Sequence, residues 1–302
     1  MGCESGKTTE NNPKINNGYP VCTLSIPLAM DVGALASIGN NKLILGAKGE
    51  LQLFNGKNKS ITEISKDHIG RINCLIKLSN GNVASGGQDS TIKIWDINKK
   101  EILFTLKGHT SIIWDIRELE GNKLISASDD NKCKVWDLTT KKELYTLFSS
   151  NMRQVSSIAV LKNNNVMISS GKQIMLFNLN TQEQESCLDI KYGVWILREL
   201  SNGDIAAGLG NGELYILEIT DEILIKTKFV QGHKKTINSI IELENHKIIT
   251  SSDENDLISW DLNDPESMYL IQGHTDIVTC LCHISGTRFA SASKDKTLKI
   301  WE

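Results

Sequence analysis

The sequence predicts an all-β protein built from one unit of about forty-one residues used seven times. Three observations carry that expectation. A five-residue apolar pattern recurs at nearly constant spacing, short Ile-, Leu- and Val-rich segments alternate with Gly, Asn, Asp and Ser clusters, and no segment sustains a helical period. Size agrees, because 302 residues is long for one ordinary hydrophobic core.

The pattern reads LQLFN (51–55), IKIWD (92–96), CKVWD (133–137), IMLFN (174–178), LYILE (214–218), LISWD (257–261) and LKIWE (298–302). Its fourth residue is Phe54, Trp95, Trp136, Phe177, Leu217, Trp260 and Trp301, at successive spacings of 41, 41, 41, 40, 43 and 41. Residues 71–109, RINCLIKLSNGNVASGGQDSTIKIWDINKKEILFTLKGH, show the unit: four strands with turns at SNGN, GGQD and INKK.

Three further registers travel with the tryptophans. Twenty-seven residues before Trp95, Trp136, Trp260 and Trp301 stand His68, His109, His233 and His274. Ten before stand Ser85, Ser126, Thr250 and Ser291, and six before stand Asp89, Asp130, Glu254 and Asp295. Where Phe54, Phe177 or Leu217 replaces Trp, the hydroxyl register holds Ile44, Met167 or Ala207 and the carboxylate register Lys48, Gly171 or Asn211. The His register then holds Pro27, Ser150 or Ile190. Four complete quartets and three wholly absent ones are what a buried hydrogen-bond network predicts. A buried indole N–H needs an acceptor, the hydroxyl needs the imidazole, and the carboxylate holds the far nitrogen. A half-satisfied network costs more than an apolar substitute. The same set in four separate units cannot converge on one substrate, so no catalytic residue and no enzyme activity is expected.

Composition narrows the function classes. Net charge is −3 and the pI about 6.1, which gives no basic field for nucleic acid. No run of 18 apolar residues is present to span a membrane. VCTLSIPLAM (21–30) lacks a basic leader and is broken by Pro27, unlike a signal peptide. Seven cysteines, at 3, 22, 74, 133, 187, 280 and 282, form no CxxC pair and fit a reducing compartment without disulfides. In CLCH (280–283) a strand would turn His283 away from Cys280 and Cys282, so no metal site is expected, nor any cofactor.

A unit near forty residues that ends in Trp-Asp, with Gly108-His109, Gly232-His233 and Gly273-His274 upstream and Asp67-His68 as a variant, resembles the WD40 family of β-propellers. The resemblance covers roughly residues 20–302. It implies a seven-bladed β-propeller over 21–302, with VCTLSI (21–26) closing the last blade, which otherwise stops at LKIWE. It also implies a cytoplasmic, non-catalytic protein–protein interaction scaffold or adaptor that presents one face to peptide or protein partners within a complex. The alternative is a substrate-recognition subunit of a ubiquitin-ligase or chromatin-type complex.

In the family, the usual recognition face carries the His turn and the turn between the second and third strands. Its exposed positions lie three and five residues after the His and just before the turn carboxylate. Here those are Arg71, Asn73, Ile112, Trp114, Thr236, Asn238, Ile277 and Thr279, with Gln88, Asp129, Asp253 and Lys294. Units without the His, aligned through their neighbours, add Gln154, Ser156, Gly193 and Trp195. Trp114 in IIWDIREL and Trp195 in GVWILREL, 81 residues apart, stand outside the repeat's own Trp register. Exposed, they would anchor a partner bridging the third to fifth blades, with Arg153 and Gln154 between. Buried, they would be packing residues between blades. The WDIR at 114–117 lies in a first strand, not after a third strand where some ligase-docking propellers carry that motif. WDIN, WDLT and WDLN occupy the third-strand positions, without Arg.

The opening MGCESGKTT (1–9) is one residue short of a phosphate-binding loop and has no strand before it. Gly2 fits a myristoyl acceptor, though Gly6 stands where the pattern wants Ser or Thr. Cys3 offers the second acylation that stable anchoring requires. Residues 1–20 are expected to form a flexible polar tail, either unmodified or tethering the propeller to the cytoplasmic face of a membrane.

Overall fold

The structure is a computed structural model that describes residues 20–302 except 148, 150, 164, 221–222, 245 and 264–267, with backbone alone for 223–229. Gly2, Cys3 and Ser150 lie outside the described residues.

Seven antiparallel four-stranded blades form a closed ring. The first strand, β1 (Cys22–Pro27), belongs to the last blade. Blade 1 is β2 (Ala34–Gly39), β3 (Lys42–Gly46), β4 (Lys48–Asn55) and the first part of β5 (Ser60–Lys77). Blade 2 is the rest of β5, β6 (Val83–Gly87), β7 (Thr91–Asp96) and β8 (Glu101–Lys107). Blade 3 is β9 (Ile113–Leu119), β10 (Lys123–Ser128), β11 (Lys132–Asp137) and β12 (Lys142–Leu147). Blade 4 is β13 (Val155–Val160), β14 (Asn165–Ser170), β15 (Gln173–Asn178) and β16 (Gln184–Asp189). Blade 5 is β17 (Val194–Glu199), β18 (Ile205–Leu209), β19 (Glu213–Thr220) and β20 (Ile223–Gln231). Blade 6 is β21 (Ile237–Glu242), β22 (Lys247–Ser252), β23 (Leu257–Asp261) and β24 (Met268–Ile271). Blade 7 is β25 (Val278–Ser285), β26 (Arg288–Ser293) and β27 (Thr297–Trp301), closed by β1.

Each blade is apolar on both faces because it packs against a neighbour on each side. The buried residues accordingly fall into seven clusters, each shared by two adjacent blades. Leu43, Leu45 and Phe54 of blade 1 meet Ala290, Leu298 and Ile300 of blade 7, for example. Met175 and Phe177 of blade 4 meet Ile125 and Val135 of blade 3.

Closure rests on β1. It pairs antiparallel with β27, Leu24 opposite Ile300 and Pro27 opposite Thr297, extended by Val21 N–H to Glu302 O at 2.8 Å and Leu28 N–H to Lys296 O at 2.7 Å. Pro27 lacks a donor and sits where the strand ends. At the first junction β5 runs unbroken from blade 1 into blade 2. The chain bends there at Gly70, whose φ of +97° and whose contact with Gln88 leave no room for a side chain.

Removing residues 1–27 strips the partner from the β27 edge and part of the blade 7–blade 1 cluster. The expected result is a lower thermal midpoint and loss of the monomer peak in size-exclusion chromatography. A truncated chain that elutes and melts like the full one would show that the ring does not depend on this strand.

Candidate functional site

Four blades carry a hydrogen-bonded chain that starts at the third-strand tryptophan. In blade 3, Trp136 Nε1–H donates to Ser126 Oγ at 2.8 Å, Ser126 lies 2.7 Å from His109 Nε2, and His109 Nδ1 lies 2.8 Å from Asp130 Oδ2. Blade 2 has the same chain through Trp95, Ser85, His68 and Asp89, and blade 7 through Trp301, Ser291, His274 and Asp295. In each, Ser accepts from the indole and donates to Nε2, so the neutral imidazole carries its proton on Nδ1, facing the carboxylate. The carboxylate also accepts the N–H of the residue after the His, at 3.0 Å in Thr110, Ile69 and Thr275, tying two turns together. Blade 6 departs in one contact. Glu254 is one methylene longer, and His233 Nδ1 stands 3.3 Å from it where the aspartates stand at 2.8 Å.

The Gly before the His has a packing reason. A Cβ on Gly108, Gly232 or Gly273 would meet the indole Cη2 of Trp136, Trp260 or Trp301 at 3.0, 2.3 or 2.9 Å. Burial lowers the His109, His233 and His274 pKa values, outweighing the pull of Asp130, Glu254 and Asp295. Burial works the other way on Asp130 and Asp295, but hydrogen bonds to the ionised form hold both below the ordinary carboxylate value.

The inner strands line a central cavity of about 340 Å³. In six blades the inner strand carries a β-bulge, five residues after the His register in five of them and six after it in blade 4, and the bulged residue stands at the channel mouth. The six are Asn73, Trp114, Ser156, Trp195, Asn238 and Thr279. Four of them donate to a backbone carbonyl of the next blade: Asn73 to Ile113 at 3.1 Å, Ser156 to Val194 at 2.8 Å, Asn238 to Val278 at 3.0 Å, and Thr279 to Val32. The two tryptophans do not. Trp114 is half-buried and gives its N–H to Asp129 of its own blade at 2.7 Å. Trp195 is 40 % exposed, and its N–H has no acceptor among the described residues.

Of the seventeen residues expected on the recognition face, eleven line the cavity: Arg71, Asn73, Trp114, Ser156, Trp195, Thr236, Asn238, Asp253, Ile277, Thr279 and Lys294. Gly193, Gln88, Asp129, Ile112, Arg153 and Gln154 do not. Gln88 turns its carboxamide back to accept Arg71 N–H at 2.9 Å, and Asp129 holds Trp114. Ile112 is half-buried, while Arg153 and Gln154 are exposed beyond the cavity lining. Neither off-register tryptophan is a core residue.

Deeper in the channel lie three groups that the sequence reading left aside. Asp115 is buried and accepts Ser157 Oγ–H at 3.0 Å and Ile158 N–H at 2.9 Å. Arg117 pairs with Asp115 at 3.0 Å and donates Nε–H to Ile158 O at 3.0 Å. Arg198 donates Nε–H to Ile240 O at 3.3 Å. Desolvation, then the like charge of Arg117, pulls the Arg198 guanidinium down to about 10. Their signal was present in the sequence as the shared spacing of WDIREL and WILREL.

Cys280 and Cys282 are buried, with thiols pushed up to about 12 by burial, while His283 bonds Gly286 O at 2.9 Å. Among the described residues no group of three His, Cys, Asp or Glu side chains is placed to hold a metal. Among the same residues no helix is long and apolar enough to cross a membrane.

Seven blades, a closing N-terminal strand and the Trp–Ser/Thr–His–Asp/Glu chains define a repeat propeller. The chain folds as a WD40-type β-propeller and carries WD40 repeats. The family described as "WD domain, G-beta repeat" matches residues 58–96, 100–137 and 265–302. WD repeat-containing protein 37 of Homo sapiens is 39% identical over 57 residues, 18% of this chain and 12% of that protein. The small ribosomal subunit protein RACK1 of Neurospora crassa and MST50-interacting protein 11 of Pyricularia oryzae are each 35% identical over 89 residues, 27% of this chain and 28% of each relative. The matched stretches thus span under a third of these relatives' lengths. Among solved structures, the WD40 β-propeller domain of Doa1 superposes with a TM-score of 0.83 at 17% identity, over 94% of this chain and 97% of that one.

The depressed His pKa values set a pH dependence. The folded state resists protonation of His109, His233 and His274 more than the unfolded chain does. Stability is therefore full above the ordinary value of 6.5 and falls as pH drops below it. Urea midpoints are expected to decline from neutral to mildly acidic pH, and a flat profile would mean these rings titrate freely. Trp136→Phe, which removes the donor to Ser126, is expected to cost about 1–3 kcal/mol in the same assay.

Proposed function

We propose that this propeller is a non-catalytic protein-interaction platform whose docking site is the channel mouth, anchored on Trp195 and supported by Trp114. The observation that carries this is the exception at the bulge positions. Four bulged side chains tie the ring together, whereas Trp195 is 40 % exposed and spends its N–H on no acceptor among the described residues. Tryptophan in such a setting is a typical binding anchor, apolar over most of its surface with one directional donor. Propellers of this kind place function on rims and mouths, and one of the relatives is itself named as an interacting protein. Arg71, Asn238, Asp253 and Lys294 supply a polar surround of mixed charge on the same mouth.

The platform is tethered through an acylated N-terminus in the fullest form of this reading, with Gly2 and Cys3 as acceptors. The support is the sequence alone: Gly2 becomes the terminal residue once Met1 is removed, with Cys3 beside it.

Trp195→Ala is expected to keep the thermal midpoint while abolishing co-purification of the partners that wild type retains from its native cells. Trp114→Ala, whose indole is already committed to Asp129, should weaken capture less. Loss of folding in either variant would make the tryptophan a packing residue instead. For the tether, the intact mass of protein from its native source should exceed the sequence mass by an acyl group and return to it in Gly2→Ala. An unmodified wild-type mass would remove the anchor.

A further inference from the structure

Of the 33 lysines and arginines only five are arginine, and three of those five, Arg71, Arg117 and Arg198, line the central cavity. The other two are spent elsewhere. Arg153 sits on an exposed turn, and Arg288 pairs with Glu302 at 2.6 Å. Three of five guanidinium groups are thus gathered at one place in a chain whose net charge is −3 and whose remaining cations are all lysines but two.

The channel pairs only one of the three with a carboxylate. Asp115 is committed to Arg117. Arg198 has no ion pair, and the Arg71 guanidinium makes no hydrogen bond among the described residues. Lys294 adds a fourth positive charge at the mouth, against Asp253 alone. Arg117 and Arg198 use Nε to hold backbone carbonyls, which fixes their planes. Arg117 Nη2 and both Nη atoms of Arg198 are left without a protein acceptor among the described residues. An Arg198 guanidinium without an ion pair in a partly desolvated channel, with N–H groups on it and on Arg117 that meet no acceptor among the described residues, is costly unless an anion joins it. The planar fork suits an oxyanion, which accepts several N–H bonds at once.

We propose that the central channel is a binding site for a phosphate-class oxyanion, held by the guanidinium groups of Arg117 and Arg198 with Arg71 above them. The cavity of about 340 Å³ admits such a group either as a free anion or as the phosphoryl group of a partner segment entering through the mouth. The site needs no protein partner to be detected and does not rest on the role given to Trp195.

The test is calorimetric titration of the full chain, at ionic strength matched with chloride, using inorganic phosphate, pyrophosphate and a short phosphoserine peptide in separate arms. Saturable one-to-one binding is expected in at least one arm. It should be weakened at least about tenfold in Arg198→Met and retained in Trp195→Ala. Binding of the free anions assigns the source to a small molecule, and binding of the peptide alone assigns it to a phosphorylated partner. No saturable binding in any arm, or equal binding in Arg198→Met, overturns the proposal. Should Arg198→Met not fold, the arginine Nε–H resonances of the wild type decide. Saturable shifts at Arg117 and Arg198 support the site, and shifts confined to Arg153 and Arg288 overturn it.

Discussion

The hydrogen bond from an inner-strand side chain to the backbone of the next blade is the constraint on which the ring depends. Apolar clusters between blades supply most of the burial, but burial is not directional and would tolerate blades sliding against one another. The side-chain ties fix the register at the narrowest part, where a small displacement would close or open the channel. Asn73, Ser156, Asn238 and Thr279 each make one at the bulge, joining blades 2 to 3, 4 to 5, 6 to 7 and 7 to 1. Blades 1 and 2 need none, because β5 is one continuous strand shared between them. Below that level, Ser157 Oγ accepts Leu197 N–H at 3.1 Å and Ser239 Oγ accepts Leu281 N–H at 3.2 Å. A channel bound this way is rigid, which keeps the ordering cost of binding low for whatever enters it.

Blades 1, 4 and 5 show how the fold manages without the Trp quartet. The third-strand residue becomes Phe54, Phe177 or Leu217, all buried to 2 % exposure or less. The former hydroxyl register fills with Ile44, Met167 or Ala207, at 0 %. Polar network and apolar packing are alternative solutions to the same space, and no blade mixes them. Glu254 shows the tolerance of the polar solution: the chain survives an extra methylene, at the cost of one stretched contact.

The repeat made much of this legible before any coordinates. Seven registers counted along the chain specify the blades, and the quartets follow from which residue types travel together. What counting cannot show is the bulge. It adds one unpaired residue to the inner strand without changing the spacing to the next Trp, so Trp114 and Trp195 read equally well as core or surface. Nor does spacing reveal that Gln88 and Asp129 are turned inward onto Arg71 N–H and Trp114, since both occupy turn positions that look free. Arg117 reads as part of a WDIR in a first strand, and Arg198 falls in none of the repeated registers, so counting marks neither.

That shared spacing carries the last step. The two blades with a bulge tryptophan are the two with an arginine three residues on, and the two facts explain each other. At the bulge of blades 3 and 5, Trp cannot make the tie that Asn, Ser or Thr makes elsewhere. One layer deeper, Arg117 reaches Ile158 O and Arg198 reaches Ile240 O, restoring the bond from blade 3 to 4 and from blade 5 to 6. The arginine therefore releases the bulge position from its structural duty, and a tryptophan can stand there without loosening the ring. Blade 5 adds a second accommodation: a Cβ on Gly210 would come within 3.1 Å of the Trp195 indole nitrogen, so the neighbouring turn leaves the space that the ring occupies. A substitution that returned Asn to position 195 would suit the ring as well as the present residue does. The fold alone therefore does not call for Trp at this position, and the space that Arg198 and Gly210 leave around it is what the proposed docking role would use.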